Sequence, residues 1–307
     1  MKEEKSNFKC GFVAIIGRPN VGKSTLMNAL VCNKISIVSD VPQTTRYLIK
    51  GILNWNNTQV VFVDSPGMHA FKDSLTEYLN DIAKKSLVDV ELVLYVVDMS
   101  RPPGLEETKI MDFLVRKGPS KVIMVLNKID VKRKFINEYI DLWQKKIKEN
   151  NINNPIVYYI PVSAKLGKNL DKLKEAISEQ LPFSPPFYDK DVITDFPLKF
   201  RLADIIREKI FLNLKEEIPH STAVEVMDIE DKGNVFYIST VIYVNRKSQK
   251  RIVIGKGGEM LAKIGKSSRL EIEKILNKKV YLELWVKVLP NWQDKPRILR
   301  ELGYEGV

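Results

Sequence analysis

The sequence predicts an α/β domain built on a mostly parallel sheet with helices on both faces, followed by a smaller α+β domain. Two observations predict it. From residue 12 to about 181, short apolar runs alternate with longer amphipathic stretches, the pattern of strands joined by crossover helices. Beyond a proline- and aromatic-rich interruption, LPFSPPFYDKD, the order becomes helix, strand, strand, helix, helix, strand, which is a different architecture.

In the first part the expected strands are FVAIIG, QVVFVD, ELVLYVVD, KVIMVLN and IVYYIPV, each followed by a helical pattern. They are apolar throughout, as strands covered on both sides require. The first domain is expected over 1–182 and a linker over 183–195, because each proline there pushes its predecessor out of helical geometry. The second domain, 196–307, is expected to open with a helix from Leu198 to about Glu217. Its apolar residues Leu198, Leu202, Ile206, Ile210 and Leu214 recur at i+4 spacing and so share one face. STAVEVMDI and NVFYISTVIYV read as two strands joined around Asp231–Asn234. SQKRIVIGKGG, a helix to about Asn277 and the strand VYLELWVKV complete the order.

Composition narrows the function classes. The 307 residues are 44% apolar and 28% charged, which suits a soluble globular chain of about two domains. Cys10 and Cys32 are the only cysteines and have no second Cys or His nearby, so neither a disulfide framework nor a zinc site is expected. The N-terminus mixes acids into the place of a signal peptide's positive region, and no apolar run reaches the ~18 residues of a membrane span. A reducing, cytosolic setting is expected. The net charge of +11 points to an anionic partner: nucleic acid, an acidic membrane surface or a phosphorylated ligand.

One such ligand has a specific address. The first strand runs into Gly17-Arg18-Pro19-Asn20-Val21-Gly22-Lys23-Ser24 and then, from Ser24-Thr25, into a helical stretch. Glycines let successive N–H groups turn inward around a phosphate, and the helix N-terminus adds partial positive charge. Lys23 reaches the terminal phosphates and Ser24 serves Mg²⁺. Asp64-Ser65-Pro66-Gly67 ends a later strand, placing a carboxylate for the Mg²⁺ shell and a Gly67 N–H for the γ-phosphate. In Asn127-Lys128-Ile129-Asp130, the last carboxylate can accept two hydrogen bonds from guanine N1–H and N2, a pairing adenine cannot make. Asn127 would tie this loop to the phosphate loop, and Lys128 would lay its stem over the base. Ser163-Ala164-Lys165 offers backbone N–H groups to guanine O6. Four motifs, each at a strand's C-terminal end, predict a GTP site.

The second domain carries its own anion site. Residues 246–300 hold 15 Lys+Arg against 5 Asp+Glu, whereas 183–245 hold 7 against 11. The positive charge surrounds Ile254-Gly255-Lys256-Gly257-Gly258, a GxxG loop between two helices that admits a nucleic-acid backbone without Cβ obstruction. With the element order, this matches a KH domain of the type that begins with a helix, type II. Arg251, Lys256, Lys263, Lys266 and Arg269 are the candidate phosphate contacts, although each singly also fits a solvated side chain. Trp285 admits base stacking, but its alternating strand favours a core position.

The motifs GRPNVGKS, TT, DSPG, NKID and SAK resemble those of the translation-factor-related GTPases. That resemblance makes Pro42-Gln43-Thr44-Thr45-Arg46 a switch segment whose threonine closes on Mg²⁺ and the γ-phosphate, with Thr45 favoured and Thr44 left open. It implies catalytic roles for Lys23, Thr45 and Gly67, and a metal set of Ser24, Thr45 and Asp64. Ras-like enzymes orient water with a glutamine where this chain has Met68, so slow intrinsic hydrolysis is expected, and His69 is a weaker candidate base. Resemblance to cation-dependent GTPases with an Asn at this place implies a K⁺ held by Asn20 and switch carbonyls.

Taken whole, with FYDKDVITD, ADIIREKIF, EEIPHSTAVEV, QKRIVIGKGGEMLAKIG, LELWVKV and RILRELGY, the chain resembles the Era family of bacterial-type GTPases over essentially its full length. Ser65 in DSPG and Asp40-Val41 before the switch threonines are small departures. The family implies a GTP hydrolase that binds the single-stranded 3′ end of 16S rRNA in its KH groove and assists 30S subunit assembly. It also implies a monomer in the cytoplasm with some peripheral attachment to the inner face of the membrane. A signalling GTPase whose second domain binds a protein, and a passive RNA-binding module, are the competing classes.

Overall fold

The computed structural model describes residues 7–39, 45–66, 89–132 and 134–304. The chain divides into two units, whose main bodies end at Asp195 and begin at Phe196. Thr44, Gly67, Met68, His69 and the Asp40-Val41 pair lie outside the described residues.

The first unit is a six-stranded sheet in the order β2-β3-β1-β4-β5-β6. Its strands are β1 (Lys9–Ile16), β2 (Ile49–Trp55), β3 (Thr58–Asp64), β4 (Leu92–Asp98), β5 (Val122–Asn127) and β6 (Ile156–Pro161). All neighbours run parallel except β2, which is antiparallel to β3. The helices are α1 (Lys23–Val31), α2 (Leu105–Lys117), α3 (Ile136–Asn150) and α4 (Leu170–Gln180). β3, β4 and β5 are buried at every residue, as strands sandwiched between helix layers must be. Because β1 lies between β3 and β4, the chain leaves its C-terminal end at a crevice where ligands bind in open sheets.

Two features differ from expectation. The β6 strand is an edge, and its Val157 and Tyr158 are exposed, so IVYYIPV is not covered on both faces. β2 carries no uniformly apolar run to signal it; Lys50 and Asn54 interrupt it, and it is held by pairing with β3.

Residues 183–195, expected as a linker, pack along this unit as an extended strap. Gln59 clamps it: its Oε1 accepts the N–H groups of Phe187 (2.8 Å) and Tyr188 (3.0 Å), and its Nε2 donates to the Tyr188 carbonyl at 2.8 Å. Phe187 stacks on Phe12 with ring centroids 5.1 Å apart. Along the edge strand, Ile52 N–H donates to the Ile193 carbonyl at 2.9 Å, and Lys50 pairs with Asp195 at 2.8 Å. The prolines prevent helix, as the sequence indicates, but the extended chain they enforce finds a sheet edge to lie on.

The second unit comprises α5 (Leu198–Asn213), β7 (Ala223–Asp231), β8 (Val235–Val244), α6 (Lys247–Ile254), α7 (Glu259–Leu276), β9 (Lys279–Val288) and α8 (Pro296–Glu301). Its sheet runs β7-β8-β9, with β7 antiparallel and β9 parallel to β8. Ile206, Ile210, Ile238, Ile242, Ile264 and Ile272 are among the core between one face of this sheet and the helices. α5 stops at Asn213 rather than near Glu217, where Leu214 turns to extended geometry and is itself buried in the core.

Candidate nucleotide site and nucleic-acid interface

The phosphate loop is shaped by contacts that leave no room for side chains. A Cβ on Gly17 would meet the Val96 carbonyl oxygen at 2.4 Å, and one on Gly22, at φ 96°, would meet Asn127 Nδ2 at 2.5 Å. Only glycine tolerates both conditions at position 22. Lys23 follows at the N-terminus of α1, is buried, and donates to the Gly17 and Arg18 carbonyls at 2.9 and 3.0 Å. Burial lowers its pKa to about 8, against the opposing pull of the Asp64 carboxylate.

Three of the sequence-predicted metal ligands come together beside it. Ser24 Oγ donates to Asp64 Oδ2 at 2.8 Å and lies 2.9 Å from Thr45 Oγ1; Ser36, which the sequence did not single out, donates to the same Asp64 oxygen at 3.0 Å. Burial raises the Asp64 pKa, with Lys23 opposing. The other oxygen, Oδ1, is buried and has no hydrogen-bond partner among the described residues. A buried carboxylate oxygen left alone is costly, and beside two hydroxyls it forms the hard oxygen donor set that suits Mg²⁺. The residues therefore fit the metal. Ser65 and Pro66 follow, both buried, with Ser65 Oγ 3.4 Å from the Ile15 carbonyl.

The guanine-side loops are joined through one amide. Asn127 Nδ2 donates to the Val21 carbonyl at 2.8 Å, and Asn127 Oδ1 accepts the Ala164 N–H at 3.0 Å, so a single side chain fixes three loops. Lys128, at φ 68°, spans the crevice, donating to the Asn20 carbonyl at 2.9 Å and pairing with Asp98 at 2.7 Å. The exposed Asp130 carboxylate accepts the Ser163 hydroxyl at 2.5 Å, and this bond lowers its pKa. Ile129 N–H is tied to the Val162 carbonyl; Lys165 is exposed at the rim.

The base of the site is a buried ion-pair cluster whose partners the sequence did not single out. Arg18 turns inward, where its guanidinium meets Glu107 at 2.6 Å and Asp98 at 3.4 Å; Tyr95 donates to Glu107 at 2.9 Å. These groups are buried and link the phosphate loop to β4 and α2. A charged residue inside an apolar periodicity, Glu107 of α2, was the available signal.

In the second unit, the GxxG loop joins α6 to α7. Gly255, Gly257 and Gly258 have φ values of 77°, 59° and 87°, all in the region that favours glycine. Gly255 is pinned because a Cβ would strike Met260 at 2.7 Å, whereas Gly257 and Gly258 face open space. Arg251, Lys256, Lys263 and Lys266 are exposed around the loop. Arg269 is half-buried and stands 3.9 Å from Glu273, and Ile254 packs partly into the core. Trp285, expected in the core, is 57% exposed. The inward positions of β9 are Val280, Leu282, Leu284 and Val286, so Trp285 falls on the opposite phase of the strand. Trp292 is the buried tryptophan, donating to the Ser221 carbonyl at 2.8 Å.

Comparison with known proteins gives the same division. A family model described as a 50S ribosome-binding GTPase matches residues 12–128, and a KH domain model matches 217–293. The GTPase Era of Geobacter metallireducens is 43% identical over 300 residues, covering 97% of this chain and 98% of that protein. The GTPase Era of Carboxydothermus hydrogenoformans is likewise 43% identical, with 97% and 98% covered. Among solved structures, an Aquifex aeolicus Era variant bound to GDP·AlF4⁻ superposes with a TM-score of 0.89 at 39% identity. Another, Era in complex with MgGDPNP and nucleotides 1506–1542 of 16S ribosomal RNA, gives 0.90 at 38% identity. Each covers 97% of this chain and 99% of its own.

Proposed function

The chain belongs to the GTPase Era family, and from that membership we propose that it is a GTP-hydrolysing switch whose KH unit takes single-stranded RNA near the 3′ end of 16S rRNA during 30S assembly. The observation that carries the nucleotide half is the convergence of Ser24, Thr45 and Asp64 oxygens beside the buried Lys23 ammonium. Ser24, Thr45 and Asp64 would hold Mg²⁺, which supplies charge neutralisation at the β- and γ-phosphates. Lys23 releases the Gly17 and Arg18 carbonyls and turns to the terminal phosphates. The backbone N–H groups of residues 18–24, including Pro19's neighbours, cradle the anion, Pro19 itself having none to give. Asp130 accepts guanine N1–H and N2–H, the loop of residues 163–165 receives O6, and the Lys128 stem covers the base.

Hydrolysis on this reading is slow, because charge stabilisation by Lys23 and backbone amides stands in for a positioned glutamine. Asn20 with switch carbonyls holds K⁺, and equal turnover in potassium and sodium buffers would contradict that part. In the RNA half, Lys256, Lys263, Lys266 and Arg251 meet phosphates while the bare Gly257 and Gly258 let the backbone approach. The protein acts as a monomer. The direct test is multiple-turnover GTP hydrolysis together with binding of a single-stranded RNA carrying the 16S 3′-terminal sequence. Turnover without RNA binding would favour the signalling-GTPase reading, and RNA binding without turnover the passive module.

A further inference from the structure

The helices cover one face of the β7-β8-β9 sheet, and the other face carries an unusual set of side chains. On it Tyr237 of β8 stands opposite Tyr281 of β9, their ring centroids 5.2 Å apart. Tyr281 and Trp285 are each 57% exposed and Tyr237 39%. Three large aromatic rings on one open surface exceed the scattered apolar exposure of an ordinary monomer.

Carboxylates surround these rings. A bulge in β7 between Val226 and Asp228 shifts the register. Val226 faces the core, so without the extra residue Asp228 would do so too; the bulge turns it outward beside Ser239, two residues from Glu230, which pairs with Tyr237. Asp228, Glu230 and Glu283 line an open pocket of 310 Å³ with Tyr237, Ser239 and Tyr281; among the described residues the one ammonium that reaches this lining is Lys232, at its Glu230 and Tyr237 side. Lys279 and Lys287 stand on the same face only at the two ends of β9. In a chain of net charge +11 this is a locally acidic, aromatic pocket on the opposite side of the sheet from the GxxG loop.

The fold already displays what such a pocket binds. Lys232, in the turn between β7 and β8, places its ammonium 4.2 Å from the Tyr237 ring centroid and 3.1 Å from Glu230. A cation over an aromatic face with a carboxylate beside it is favourable at both contacts. Asp228, Glu283 and the Tyr281 ring repeat that set on the other side of the pocket.

We propose that the outer face of this sheet is a docking surface for a lysine- and arginine-rich peptide segment of a partner protein, with a cationic side chain seated between Tyr281, Glu283 and Asp228. The carboxylates repel nucleic acid, which separates this surface from the RNA groove.

The test uses the full chain and a fluorescein-labelled nine-residue arginine–lysine peptide, read by anisotropy, with a glutamate peptide of equal length as control. The native chain binds the cationic peptide and not the control. Glu283→Lys weakens binding at least about tenfold and Tyr281→Ser about fivefold. Both side chains are exposed, so melting temperature, GTP turnover and RNA affinity stay at native values. No binding by the native chain, or equal binding by both variants, overturns the proposal. So does loss of RNA affinity in Tyr281→Ser, which would make the face an RNA platform, or a change in its sedimentation, which would make it a self-contact.

Discussion

Lys23 is buried on the Gly17 and Arg18 carbonyls. Burial holds its pKa near 8, below the ~10.4 of an unfolded lysine. Between these values the unfolded chain binds more protons than the folded one, so the nucleotide-free protein gains stability as pH rises from 8 to about 10.5. The gain approaches ~3 kcal/mol and is absent in Lys23→Met; denaturation at a series of pH values measures it. Phosphates favour the charged ammonium, so GTP binding above pH 8 takes up a proton, which calorimetry in buffers of different ionisation enthalpy detects. On the proposed reading Asp130 selects guanine, and Asp130→Asn is expected to lower GTP affinity at least about a hundredfold, because guanine N–H groups lose their carboxylate. Equal affinity would remove the guanine assignment. Lys23, Asp64 and Asp130 were legible because loop motifs fix their chemistry by spacing. The Arg18–Glu107 pair and the Ser36–Asp64 bond were not, because their partners are 89 and 28 residues apart in sequence and only the folded sheet brings them together.

Elements carry the next set of constraints. Asn127 at the end of β5 joins the phosphate loop, the NKID loop and the SAK loop through two hydrogen bonds. Asn127→Ala leaves the Val21 carbonyl and the Ala164 N–H unpaired and costs about 2 kcal/mol of stability along with GTP affinity, to be read by denaturation and nucleotide titration. The turn between α6 and α7 behaves differently. Gly257 faces open space but sits at φ 59°, so Gly257→Asp costs about 1 kcal/mol of backbone strain, too little to unfold the unit, and leaves GTP turnover intact while its charge blocks an RNA backbone; RNA affinity falls at least about tenfold. Strand periodicity revealed β1, β3, β4 and β5 because they are buried on both faces. It missed β2, an edge strand interrupted by Lys50 and Asn54, and mistook the phase of Trp285, because alternation alone does not say which face a three-stranded sheet buries.

At the scale of the molecule, the +11 of the sequence divides into unlike parts. The candidate nucleotide crevice presents a glycine-shaped loop and the buried Lys23 ammonium. The KH unit carries exposed bases around a glycine loop on one side and an acidic, aromatic pocket on the other. Segment charge exposed the basic half, but the pocket draws on β7, β8 and β9 together, and no run of sequence contains it. The proline-rich segment 183–195 stood out by its composition, while its strap along this unit depends on Gln59, far upstream. If guanine nucleotide and RNA act on one switch, each must change the affinity for the other by the same factor. The measurement is the affinity of the full chain for single-stranded RNA of the 16S 3′-terminal sequence, loaded in turn with GDP and with a non-hydrolysable GTP analogue. Binding at least about fivefold tighter with the analogue is expected, matched by equally tighter analogue binding when RNA is present. Equal RNA affinity in the two nucleotide states would contradict it.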